Sequence, residues 1–293
     1  MSQCFDSALY CFSEKIALPL RNLPSTDKAE ITEIRLRSSA PLAVTKGGKT
    51  FYISQNFTLT DKAERGAITV YQRDVFDTVR VIANNSVYAH TKSLNEGFLP
   101  MKFGHRAGVT GNFSGENLCE FYSLNIRVAR QIIDCALPFL PLTREGGLLF
   151  TGPPSSGKTT MLRDTIRLLS ERGERVAVID TRGEISAFCS GVIYNDLGPC
   201  ADVLYGISKA RGIEIALRTL SPDFIAFDEI GSKEELNGVR DCFNAGCKII
   251  ATAHMENGEE LCSRPIIKDL LSTGSIKNAV MLGEKIKTKN IKV

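Results

Sequence analysis

At 293 residues the chain is too long for one small core and suits two domains. Its 43% hydrophobic and 24% charged residues are those of an ordinary soluble globular protein. The formal net charge of +3 comes from 36 basic and 33 acidic residues, a balance too even for charge alone to indicate a nucleic-acid partner.

No run approaches ~18 apolar residues, so no transmembrane helix is expected. The start, "MSQCFDSALYCFSEKIALPL", lacks the basic leader and long apolar stretch of a secretory signal. Nine cysteines are an odd number with no CxxC, which points to reduced thiols in a cytoplasmic protein rather than a disulfide framework. Cys242, Cys247, His254 and Cys262 match no zinc spacing and read as buried small residues instead.

In chain order, "ITEIRLR" at 31–37 alternates imperfectly and suits a half-buried strand. "PLAVTKGGKTFYI" follows as two strand-like runs about a "KGGK" hairpin turn. "RDVFDTVRVIANNSVYAH", 73–90, has helical spacing. Residues 1–133 therefore read as a small α+β domain. The prolines and glycines of 134–147, "DCALPFLPLTREGG", mark a linker.

Residues 148–293 have a different rhythm. "GLLFTG", "RVAVID", "DFIAFDEI" and "KIIATAH" are short apolar strands. The first is followed by the helix "GKTTMLRDTIRLLSERG", and "KARGIEIALRTL" and "KEELNGVRDCFNAG" supply further helices. Apolar strands alternating with helices imply a parallel sheet covered on both faces, with ligands at the carboxyl ends of its strands.

"GPPSSGKT" fits G-x-x-x-x-G-K-[S/T] between a strand and a helix, the context a phosphate loop requires. Gly152, Pro153, Pro154, Ser155, Ser156, Gly157, Lys158, Thr159 and Thr160 are the expected nucleotide-binding residues. Glycines let backbone N–H groups turn inward around phosphates, and the helix N-terminus adds positive potential. Lys158 is expected on the β- and γ-phosphates of ATP and Thr159 on Mg²⁺. Asp228 at the end of "DFIAFDEI" is the second expected Mg²⁺ residue, and Glu229 beside it is a candidate to polarise the attacking water. Glu184, just past Asp180 in "RVAVIDTRGEI", is a second candidate for that role. Thr252 and His254 end the fourth strand, where a polar group can sense the γ-phosphate. Arg163, one turn into the phosphate-loop helix, is expected to be solvated or to pair locally.

This ordered set resembles the RecA-like ATPases of type II and type IV secretion and pilus systems, through "LRTLSPDFIAFDEI" and then "NAGCKIIATAHMENGEEL". More closely it resembles the stage III sporulation AA family of endospore-forming bacteria, through "EIRLR" (33–37), "GHRAG" (104–108), "NIRVAR" (125–130), "GPPSSGKTTMLRD" and "ATAH", which together span nearly the whole chain. The resemblance implies a RecA-like domain behind a smaller N-terminal domain. It implies an ATP- and Mg²⁺-dependent homo-oligomer, a hexameric ring, on the cytoplasmic side of a membrane channel joining mother cell and forespore. No nucleic-acid partner is implied. In the secretion ATPases an arginine of the N-terminal domain reaches the nucleotide, which makes Arg127 and Arg130 candidates and Arg106 a further one. Those ATPases carry Gly–Glu where this chain has Asp228–Glu229, so the division of labour between Glu229 and Glu184 stays open. Two other readings of the same core stay open as well: a nucleic-acid-stimulated translocase and a small-molecule kinase.

Overall fold

The computed structural model describes residues 2–63, 66–230, 233–256, 265–283 and 287–290. The chain forms two compact units, 1–130 and 131–293.

The first unit has α1 (Ser2–Ser7), α2 (Glu14–Arg21) and α3 (Ser25–Glu30), then the strands β1 (Ile31–Arg37), β2 (Ala40–Pro41), β3 (Ala43–Lys46), β4 (Lys49–Ile53), β5 (Leu59–Thr60) and β6 (Thr69–Val70). Helix α4 (Gln72–Ile82) and α5 (Thr91–Asn95) precede β7 (Phe98–Pro100), β8 (Arg106–Ser114) and β9 (Asn117–Arg127). Among the described residues one antiparallel sheet runs β5-β4-β3-β1-β9-β8-β7, while β2 and β6 pair separately. In β1 the register shifts between Ile31 and Glu33, so Ile31, Ile34 and Leu36 all reach the core despite their broken alternation. The helix expected over 73–90 ends at Ile82, because Asn84 (φ 49°) and Asn85 (φ 63°) turn left-handed, as asparagine does readily. A short 3₁₀ turn, Val87–His90, follows.

The second unit starts with a 3₁₀ segment, Leu137–Arg144, inside the stretch 134–147 expected as a linker. Ala136 and Leu140 are buried in this unit's core, so the stretch belongs to the unit rather than bridging to it. Then come β10 (Gly147–Gly152), α6 (Lys158–Glu171), β11 (Val176–Asp180), β12 (Ala201–Tyr205), α7 (Lys209–Thr219), β13 (Phe224–Phe227), α8 (Lys233–Asn244), β14 (Lys248–His254), a helix Pro265–Ser272, β15 (Ile276–Met281) and β16 (Lys287–Asn290). The sheet order is β12-β11-β13-β14-β10-β15-β16. All pairs are parallel except β15 with the edge strand β16. β10, β11 and β13 are buried throughout, and apolar clusters fill both faces. This burial is what made their sequences continuous apolar runs. Cys242 and Cys247 are core residues of one cluster. Residues 257–261 at the end of "NAGCKIIATAHMENGEEL", and Cys262, lie outside the described residues.

Candidate nucleotide site

β10, β13 and β14 lie side by side, and their last residues converge. Gly152 pairs with His254 across the β10–β14 ladder, and Phe227, just before Asp228, pairs with Ala251, just before Thr252. From Gly152 the chain turns through Pro153–Ser156 into α6, with Gly157 (φ 92°) as the residue before its first turn. Gly152 (φ 149°) admits no side chain, because a Cβ there would sit 2.4 Å from the Leu282 carbonyl oxygen and 2.7 Å from Ser156 Oγ. Pro154 and Ser155 are exposed, whereas Thr160 is half-buried in the first turn. Ser156 Oγ is buried without a hydrogen-bond partner. A buried orphan hydroxyl inside a glycine-bounded loop at a helix N-terminus fits a phosphate oxygen.

Lys158 is buried, and its Nζ donates to the carbonyls of Gly152 (2.9 Å) and Pro153 (2.7 Å). Burial lowers its pKa, which Asp228 and then Glu229 oppose. One residue on, the Thr159 hydroxyl donates to Asp228 Oδ2 at 3.0 Å. The other oxygen of Asp228 accepts a short hydrogen bond from Thr252 Oγ1, and the same Thr252 oxygen accepts the Glu229 N–H at 3.0 Å. A hydroxyl and a carboxylate side by side form a hard-oxygen pair of the kind Mg²⁺ prefers. Glu229 stands in the left-handed region (φ 39°), and its carbonyl accepts from Lys209 Nζ, which also lies 3.6 Å from Glu235. Its backbone is thus held on both sides.

Asp180, at the end of β11, spends its carboxylate on the following turn. Oδ1 accepts Glu184 N–H (3.0 Å), and Oδ2 accepts the N–H of Ile185 (3.2 Å) and both the N–H (2.7 Å) and hydroxyl (2.6 Å) of Ser186. Arg163, expected to be solvated or paired locally, instead donates to the carbonyls of Glu184 (2.8 Å) and Ile185 (3.1 Å). At four residues from Thr159 it shares that residue's helix face and points across to the β11 turn rather than along α6. A cavity of about 390 Å³ opens past the ends of β11 and β13, lined among others by Asp180, Glu184, Lys209, Asp228 and Glu229.

The structure therefore brings Lys158, Thr159, Asp228, Glu229 and Thr252 together, with Glu184 lining a cavity with Asp228 and Glu229 and His254 half-buried beside Gly152. Arg127 and Arg130 belong to the first unit. Arg127 has a largely exposed side chain 3.8 Å from Glu33. Arg130 donates to the carbonyls of Lys28 (3.2 Å) and Ile31 (2.7 Å), anchoring the end of α3. The Arg106 guanidinium stacks 3.9 Å over the Phe98 ring. Two site residues escaped the sequence reading. Lys209 follows β12, a half-exposed edge strand whose mixed pattern hid it. Arg163's role was signalled only by its i+4 spacing from Thr159.

Among solved structures, the pilus retraction motor PilT bound to ADP is similar with a TM-score of 0.60 at 17% identity, covering 90% of this chain and 80% of that one. The ATPase DotB of Yersinia pseudotuberculosis gives a TM-score of 0.57 at 15% identity, over 86% of this chain and 70% of that one. At these identities the likeness establishes the fold, a RecA-like parallel-sheet domain accompanied by a smaller α+β domain. By sequence the chain is 32% identical over 270 residues to the stage III sporulation protein AA of Bacillus subtilis (strain 168), covering 88% of this chain and 84% of that one. It is 29% identical over 192 residues to the uncharacterized protein ycf45 of Porphyra purpurea, over 55% of this chain and 32% of that one. The description "Sporulation stage III, protein AA" matches residues 12–293, and the chain belongs to that family.

Proposed function

We propose that this chain is a Mg²⁺-dependent ATP hydrolase that works as a motor of the secretion type. The observation that carries the reading is the Asp228 carboxylate held 3.0 Å from Thr159 Oγ1, directly after the buried Lys158 of the phosphate loop. The loop from Gly152 to Thr160 cradles the phosphates, and its orphan Ser156 hydroxyl supplies one donor. Thr159 and Asp228 would hold Mg²⁺, which when bound would neutralise charge on the phosphates. Water attacks the γ-phosphorus, the bond to the β-phosphate oxygen breaks, and the water proton passes to a carboxylate, leaving ADP and phosphate. Among the carboxylates that line the cavity, Glu184 and Glu229 are the two candidates for that proton. His254, next to Gly152 in the ladder, is assigned to the γ-phosphate end. By resemblance to the secretion ATPases, Arg127 or Arg130 would balance transition-state charge.

By family, the motor assembles as a hexameric ring on the mother-cell side of a sporulation channel, peripheral to the membrane. No helix among the described residues is long and apolar enough to cross a membrane. Lys158→Ala should abolish ATP turnover by the purified chain, and wild-type hydrolysis by that variant would end the reading. Light scattering with a non-hydrolysable ATP analogue should show a species larger than a dimer, whereas a strict monomer with and without the membrane partners would remove the ring.

A further inference from the structure

The turn that carries Glu184 is a loop between β11 and β12, yet the Glu184 main chain is held from two directions. From β11, Asp180 accepts its amide and the two that follow. From α6, the planar fork of Arg163 reaches two consecutive carbonyls, those of Glu184 and Ile185. Burial lowers the pKa of this guanidinium, and Asp180, then Asp228, oppose the shift; arginine stays charged throughout. The same helix face carries Thr159, hydrogen-bonded to Asp228. The backbone of Glu184 is therefore tied to the helix that starts in the phosphate loop.

Such a tie matters because a carboxylate that takes a proton must stand within hydrogen-bond reach of the water it activates. Loop residues reach that accuracy only when their surroundings fix them. Glu229 is held by a separate pair, Thr252 and Lys209. Resting on the hydrolase reading above, we infer that Arg163 is a positioning residue that fixes Glu184 against the attacking water and makes the phosphate loop and the Glu184 turn move as one body. Arg163 touches neither substrate nor metal in this role; it acts through Glu184 alone.

The test measures kcat and KM for ATP on the full chain, with single-turnover rates for slow variants. Arg163→Met should lower kcat about 100-fold, the scale of a roughly 1 Å misplacement, and leave KM within about threefold. Arg163→Lys keeps the charge and one donor and should lose only about tenfold. In a Glu184→Gln background the Arg163→Met effect should shrink to less than about threefold, while in Glu229→Gln it should stay whole. A full multiplicative effect in Glu184→Gln overturns the proposal. So does a folded Arg163→Lys with wild-type kcat, an outcome that holds even if Arg163→Met does not fold. If the wild-type chain hydrolyses ATP and Glu184→Gln leaves kcat untouched, the positioning role falls while the hydrolase reading stands. A wild-type chain without turnover removes both.

Discussion

Thr252 joins the two acidic residues at the end of β13. Its hydroxyl donates to Asp228 and accepts the Glu229 N–H at 3.0 Å, and the residue is buried. Thr252→Val removes the oxygen and keeps the shape. Asp228 then loses a charged hydrogen bond, and the Glu229 amide loses its acceptor in a part-buried setting. A hydrogen bond to a charged group contributes about 1.5–3 kcal/mol, and an orphaned amide costs about 1–3 kcal/mol. Asp228 keeps its bond from Thr159 and the Glu229 amide is only part-buried, so the net loss should be about 3 kcal/mol, toward the lower end of those ranges taken together. For a unit of this size that is a fall in Tm of roughly 6–12 °C. The left-handed Glu229 (φ 39°) is sustained partly by this bond, so its carboxylate should also drift. A displacement of about 1 Å lowers kcat by about 100-fold. Thermal melts by circular dichroism and a coupled phosphate-release assay read the two effects. Thr252→Ser, which retains the oxygen, should stay near wild type in both. A Thr252→Val chain with unchanged Tm and kcat would refute the account of how Asp228 and Glu229 are held.

Other consequences follow from single contacts. Arg167 is buried and pairs with Asp164 (2.8 Å) and Asp134 (2.7 Å), so Arg167→Met strands a buried carboxylate and should cost about 3–5 kcal/mol in urea denaturation; a loss below about 1 kcal/mol would contradict it. Gly152→Ala places a Cβ 2.4 Å from a backbone oxygen, and should abolish binding of a fluorescent ATP analogue where Gly157→Ala, with open space around it, only weakens it. His105 has its pKa lowered by burial from 6.5 to about 4, while its Nδ1 accepts the Ala129 N–H at 2.9 Å and its Nε2 meets Ser7 Oγ at 2.9 Å. Its neutral form is favoured in the fold, so the stability it contributes is complete above pH 6.5 and is lost as pH falls toward 4, about 3 kcal/mol in full. Comparing urea midpoints of wild type and His105→Asn across that window should show the difference shrinking with acid; a constant difference would rule the linkage out.

The sequence revealed what is local or periodic. β10, β11, β13 and β14 were legible because both faces are buried, which leaves no charged residue inside the run. The long hairpin of β8 and β9 was not, although it carries "GHRAG" and "NIRVAR". Register shifts at Thr110/Gly111 and Asn112/Phe113 break its alternation, and the far end of each strand is exposed. The stretch 134–147 looked like a linker from its prolines and glycines. Composition does not show that Ala136 and Leu140 have a core to enter, or that Asp164 on α6 accepts the amides of Asp134 and Ala136.

The choice between Glu184 and Glu229 shows where legibility ends. In sequence both are acids just past a strand with an aspartate ahead of them, and nothing local separates them. Their difference lies in what holds each backbone. Glu229 is fixed by Thr252 and Lys209, 23 and 20 residues away in opposite directions, in a conformation that a non-glycine residue seldom adopts. Glu184 is fixed by Asp180 four residues back, which spacing could suggest, and by Arg163, 21 residues back on another element, which it could not. Each long-range partner is a cation or hydroxyl aimed at a main-chain group. Such a contact needs only one donor or acceptor in the right place and imposes no pattern on neighbouring residues. It becomes visible when the sheet order sets β11 beside β13 and α6 packs on the sheet with Arg163 at the Glu184 turn.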